Sequence, residues 1–190
     1  MTNFPLLIHT AQKGKPMIMS TGMANMEMVK SAYSLVQPIN NQIAILQCTS
    51  TYPSAFSEVH LNVLQSYIKE FPDAVIGYSG HEQGIAIPPA AVALGAKIIE
   101  RHFTLDRTMK GGDHSASLEP QGFAKMVRDI RVIEDAMGNS QKEIQESETP
   151  VFKKLGKSIV SAVDITSGTP ITIDMLTTKG PGTGLSPMRI

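Results

Sequence analysis

The chain has 190 residues, enough for one domain with a substantial core, or for one domain and part of another. Seventeen basic and seventeen acidic residues cancel to a formal net charge of zero, and no run of like charges occurs; this argues against nucleic acid as a partner. The single cysteine, Cys48, rules out an internal disulfide framework and suits a reducing cytoplasm, and no apolar run approaches membrane-span length. The opening MTNFPLLIHTAQKGKP has a short apolar patch but neither the basic segment nor the cleavage site of a secretory leader, so a cytoplasmic protein is expected.

The elements repeat along the chain. Met17 to Gly22 is an apolar run ending in small polar residues, and MEMVKSAYSLVQ follows with Met28, Val29, Ala32, Leu35 and Val36 at helical spacing. Gln42 to Cys48 (QIAILQC) is a second strand, followed by a turn-rich TSTYPS and a predicted helix over SEVHLNVLQSYIKEF. Ala74 to Ser79 is a third strand, with a helix over PPAAVALG, whose prolines suit a first turn. Lys97 to Phe103 (KIIERHF) is the fourth. After a loop, LEPQGFAKMVRDIRVIEDAMG predicts a long helix with Phe123, Met126, Val127, Ile130, Ile133 and Met137 facing inward and Gly138 as its C-terminal cap. Strands alternating with helices predict a parallel sheet with helical crossovers. From about Asn139 the composition turns polar, and from Lys157 a β-like pattern begins: SIVSAVDI, a TSGTP turn, and ITIDMLTTK.

Each predicted strand ends in polar residues, at the edge where open α/β sheets and (β/α)8 barrels carry their ligands. His81 and His102 close consecutive strands, and neighbouring strands lie about 4.8 Å apart, so two imidazoles at one level can share a divalent metal ion. The alternative is that each is a hydrogen-bonded rim residue. Asp113 follows two glycines in the loop TLDRTMKGGDHSASLEP, where it can hydrogen-bond sugar hydroxyls or an amide, or sit in a solvated turn. Ser20, Ser50 and Ser79 are strand-end hydroxyls able to hold phosphate oxygens or to cap turns, and Arg101 and Lys110 can pair with an anion or lie as surface charges. Cys48 reads as a core residue.

The words GKPMIMSTGM, LQCTSTYPS, FPDAVIGYSGHEQGIAI, AVALGAKIIERHFTLDRTMKGGDHSASLEP, KLGKSIVSAVDI and ITIDMLTTKGPGTGLSP resemble, in order, the sialic acid synthases, the N-acetylneuraminate synthase group that includes the legionaminic and pseudaminic acid enzymes. The resemblance implies an α/β fold: the C-terminal half of a (β/α)8 TIM barrel over residues 1–140 (barrel strands 5 to 8), a linker over 141–156, and the beginning of a small antifreeze-like (SAF) β domain over 157–190. It implies condensation of phosphoenolpyruvate with N-acetylmannosamine or its 6-phosphate, giving N-acetylneuraminate or its 9-phosphate, in a homodimer that uses Mn2+ or Mg2+.

Carried over by position, His81 and His102 are the implied metal ligands, and Ser20, Ser79 and Ser50 the implied phosphoenolpyruvate contacts. Ser50 stands where many bacterial members have Asn. Tyr52 and Asp113 are the implied amino-sugar contacts. The resemblance leaves the family's first four barrel strands, with their substrate-binding lysines and glutamate, without a counterpart here, and the SAF domain is cut short. Such a half barrel bares two sheet edges and an apolar interior, so it is expected to be inactive alone and to be unstable or to self-associate. A non-catalytic truncated product is the other expectation.

Overall fold

Four strands, β1 (Met17–Ser20), β2 (Ile43–Cys48), β3 (Val75–Gly80) and β4 (Ile98–Arg101), form one parallel sheet in the order β1-β2-β3-β4. Every crossover adds the next strand at the same edge, the arrangement of a barrel wall rather than of a doubly wound sheet, whose order reverses at a switch point. The structure, a computed structural model, describes residues 1–190 and divides into two units, Met1–Gly138 and Asn139–Ile190.

Alternation along the strands sorts the first unit's core from its inner face. Met17, Met19, Ile43, Ile45, Ile76, Tyr78 and Ile99 pack with helix residues such as Val29, Val36, Leu64, Tyr67 and Phe71 in one cluster. The intervening positions point to the other side. Ile18, Ala44, Val75 and Ile98 line a groove of about 370 Å³ there, with Ile18 at 56% and Val75 at 45% exposure. This face is apolar toward the strand starts and polar toward the strand ends.

Helix α2 (Met26–Val36) is capped by Asn25, whose side chain accepts from Met28 N at 3.0 Å, and it buries Val29, Ala32 and Val36. Helix α4 (Ile87–Ala93) carries Pro88 and Pro89 in its first turn, as expected. The predicted helix after β2 starts later than its pattern suggested. A 3-10 turn spans Phe56–Glu58, His60 takes φ 48°, and α3 runs only over Val63–Glu70. A left-handed residue cannot sit inside an α-helix, and Gln47 Nε2 holds the Val59 carbonyl at 3.2 Å against the end of β2.

Helix α5 (Pro120–Met137) starts two residues later than its pattern suggested and ends, as expected, at Gly138, φ 47°. Of its predicted inward residues, however, only Met126 is buried; Ile130 and Ile133 are partly covered, while Phe123, Val127 and Met137 are exposed. The helix packs along α4, and a groove bordered by Val92, Ile99, Phe123 and Val127 runs beside that line. Helix α1 (Phe4–Ala11), foreseen only as an apolar patch, is capped by Asn3 accepting from Leu6 N.

In the second unit, the predicted linker contains helix α6 (Thr149–Leu155), and the β-like region forms one antiparallel pair, β5 (Ser158–Ser161) with β6 (Leu176–Lys179). These strands are shorter than the pattern suggested because Ile173–Met175 coils into a 3-10 turn.

Gly77 makes the sheet's inner face sensitive to volume. A Cβ there would lie 2.4 Å from Leu46 Cδ2 and 2.6 Å from the Ile98 carbonyl oxygen. Gly77→Ala is therefore expected to destabilise the first unit by about 1–3 kcal/mol, read as a lower urea midpoint. An unchanged midpoint would contradict this packing.

Candidate functional site

The β3–β4 register determines which residues meet at the strand ends. Gly77 pairs with Ile98, Ser79 with Glu100 and Gly80 with Arg101; one further step along both strands sets His81 opposite His102. Both lie on the inner face, since Ile76, Tyr78 and Ile99 on the alternate positions belong to the helix-side core. Their ring centroids are 5.0 Å apart, at an interplanar angle of 70°.

His81 is buried and held by the backbone. Its Nδ1 lies 2.8 Å from the Thr49 carbonyl oxygen. A carbonyl only accepts, so Nδ1 carries the proton and Nε2 is left with a lone pair, the tautomer of a metal-binding imidazole. Cys48 Sγ sits 3.8 Å from the same Nδ1, so this buried thiol packs beside the site rather than far from it. The half-exposed Tyr52 ring lies against both imidazoles, with centroids 4.2 Å from His81 and 5.6 Å from His102.

His102 is half-buried, and its Nδ1 faces Asp113 Oδ2 at 3.9 Å. The loop carrying Asp113 is pinned at its base, where Leu118 N donates to the His102 carbonyl and Thr104 N to the Leu118 carbonyl. Within it, Thr104 Oγ1 pairs with His114 Nδ1 at 2.8 Å, and the Arg107 guanidinium bonds the Ser115 carbonyl. Asp113 is thus presented by an ordered loop, with its carboxylate 67% exposed.

The serines divide. Ser79, two residues before His81 on the inner face, donates to Glu100 Oε1 at 2.9 Å. Ser20 is exposed at the end of β1, two strand spacings from β3, or about 10 Å. Ser50 Oγ lies 3.9 Å from Cys48 Sγ, tight against Gly22, where an added Cβ would fall 1.9 Å from that oxygen. A cavity of about 540 Å³ opens beside these two, bordered by Met23, Cys48, Ser50, Glu58, His60 and Tyr67. Neither His81 nor His102 lines it.

Arg101 is not a surface charge, and the anion it pairs with is an internal carboxylate. Its guanidinium is fully buried with Glu82, Nη1 to Oε1 at 2.7 Å, and also donates to the carbonyls of Glu82 and Gly84. Tyr78 OH donates to Glu82 Oε2 at 2.7 Å, and burial, then that hydrogen bond and the Glu82 charge, push its phenol pKa well up, so it stays protonated. Sequence reasoning missed Glu82 and Glu100. Glu100 stands two residues before His102, and period-two alternation alone places it on the same face.

The NeuB family pattern matches residues 1–142. The chain belongs to the NeuB family. It is 54% identical over 177 residues to the N-acetylneuraminate-9-phosphate synthase of Homo sapiens, a match covering 93% of this chain and 49% of that protein. It is 43% identical over 191 residues to the N,N'-diacetyllegionaminic acid synthase of Campylobacter jejuni, covering 99% of this chain and 57% of the relative. The crystal structure of an N-acetylneuraminic acid synthetase from Leptospira borgpetersenii superposes with a TM-score of 0.72 at 36% identity, over 78% of this chain and 52% of that one. This NeuB chain therefore spans about half the length of the relatives it matches, and its parallel sheet is that of a half barrel. No helix is long and apolar enough to cross a membrane.

Proposed function

We propose that this chain carries one wall of the active site of a NeuB-type synthase. The reaction is condensation of phosphoenolpyruvate with N-acetylmannosamine or its 6-phosphate to give N-acetylneuraminate or its 9-phosphate. The observation that carries this reading is the His81–His102 pair, 5.0 Å apart, with the His81 Nε2 lone pair freed by the Thr49 carbonyl. Its support is the 54% identity to a relative of that activity. A legionaminic or pseudaminic acid synthase is the second reading, favoured by near-complete alignment with the Campylobacter relative.

The donor set fits a divalent ion. With metal–nitrogen bonds of about 2.1 Å, two imidazoles meeting side by side at one ion have centroids about 4.5–5 Å apart. No group of three or more His, Cys, Asp or Glu side chains gathers here, so the two histidines are what the chain offers, leaving positions for water and substrate oxygens. Mn2+ or Mg2+, when bound, supplies Lewis-acid polarisation of the open-chain sugar aldehyde.

The chain's residues then take these roles. His81 and His102 would hold the ion, and Tyr52, whose ring lies against both imidazoles, would contact the amino sugar. Asp113 accepts hydrogen bonds from the acyclic sugar's hydroxyls. Ser20 and Ser50 donate to phosphoenolpyruvate oxygens, and Ser79 does so when its single hydroxyl proton turns from Glu100 to the substrate. C3 of phosphoenolpyruvate attacks the aldehyde carbon, water adds at C2, and phosphate leaves with C–O cleavage. The second unit is read as the start of an SAF domain and the complete protein as a homodimer.

A chimera tests this, with residues 1–190 replacing the matching half of the human relative. Phosphate release from phosphoenolpyruvate is expected with Mn2+ and one of the two sugars, and abolished by chelator. Which sugar works decides between the products; release with neither, although the chimera folds, would sink the reading. In the same chimera Gly22→Ala, which drives a methyl group into Ser50, is expected to raise KM for phosphoenolpyruvate about tenfold with a smaller change in kcat. An unaltered KM would remove Ser50 from the substrate contacts.

A further inference from the structure

We propose that the buried Glu82–Arg101 pair, steadied by Tyr78, is a clamp that sets the spacing of His81 and His102. The inference rests on the reading of those histidines as metal ligands.

The β3–β4 ladder ends at Gly80 and Arg101. Both histidines lie one residue past that point, so the ladder itself does not fix the distance between them. What ties the strand ends together there is Arg101. From the last residue of β4 its guanidinium reaches across to Glu82 Oε1, to the Glu82 carbonyl and to the Gly84 carbonyl, all on the continuation of β3. Each member of the pair is the chain neighbour of one histidine: Glu82 follows His81, and Arg101 precedes His102.

The two pairs lie on opposite faces. Tyr78, Glu82 and Arg101 sit on the helix side, while the imidazoles sit on the inner face, so the clamp touches neither ring and acts only through the two main chains. Gly80 keeps the space open, since a Cβ there would lie 2.5 Å from Glu82 Oε2 and 3.1 Å from Arg101 Cδ. The His102 ring has no hydrogen bond of its own to hold it, with Asp113 3.9 Å away, so its position depends on the backbone that Arg101 anchors. A two-ligand site tolerates little drift in spacing, because nothing else in the chain completes the ion's shell. Glu82 and Arg101 are therefore positioning residues.

The test uses the chimera described above, with Mn2+ affinity from calorimetry and the Co2+ absorption spectrum as readouts. Three variants are compared with it: His81→Ala, the doubly uncharged Glu82→Gln/Arg101→Met, and Tyr78→Phe. Replacing both charges together avoids leaving a lone buried ion, and Tyr78→Phe, which loses one hydroxyl, serves where the double variant does not fold. The expected result is at least about tenfold weaker Mn2+ binding and an altered Co2+ spectrum in the double variant, with a loss of a few fold in Tyr78→Phe. A purely structural pair would lower the melting temperature yet leave the Kd and spectrum of the folded variants as in the parent; that result overturns the clamp alone. Absence of His81-dependent binding in the folded, unsubstituted chimera overturns the clamp and the metal reading together.

Discussion

Arg101→Ala is expected to lower the stability of the first unit by about 3–5 kcal/mol, more than any other single substitution on this sheet. Both side chains of the pair are fully buried, and Glu82 would be left with only the Tyr78 hydroxyl as side-chain partner. The variant also strips the Glu82 and Gly84 carbonyls of a donor. Lysine is a poor rescue because one ammonium cannot reproduce the fork that serves the carboxylate and two carbonyls at once. The comparison that isolates the cause is Glu82→Gln/Arg101→Met, which removes both charges and is expected to recover most of the loss. Urea unfolding followed by circular dichroism measures all three. A loss below about 1 kcal/mol in Arg101→Ala would mean that water reaches the pair.

His81→Ala in the chimera is expected to lower kcat/KM by at least about a thousandfold, or about 4 kcal/mol of transition-state stabilisation. His81 is the imidazole whose tautomer is fixed and whose ring is covered by Tyr52. His102→Ala should cost about as much, and the double variant no more than either, because losing one ligand already empties a two-ligand site. Additive losses would show that the histidines act separately, as hydrogen-bonded rim residues rather than co-ligands.

Much of this was legible in the residues. The apolar runs ending in Ser20, Cys48, Ser79 and Arg101 located every strand of the sheet to within a residue or two, because parallel strands covered on both faces read as unbroken apolar stretches. The position of each histidine at the end of consecutive strands is enough to set His81 beside His102, as their ring centroids 5.0 Å apart show. What stayed hidden was tertiary. Nothing local marks the Val59 carbonyl as the target of Gln47, which stops α3 from starting early. The apolar stripe of α5 predicts a buried face, but only Met126 meets a full layer of neighbours. Arg101, charged and next to a candidate ligand, reads as an anion site until the register brings Glu82 across to it.

Pulsed electron paramagnetic resonance of the chimera loaded with Mn2+ tests the central claim most directly, by counting the imidazole nitrogens bound to the ion. Coupling to two imidazoles is predicted in the unsubstituted chimera, with His81→Ala and His102→Ala each losing it along with Mn2+ affinity. Coupling to one imidazole or none, or a spectrum that His81→Ala leaves unchanged, would contradict a shared metal site at the ends of β3 and β4.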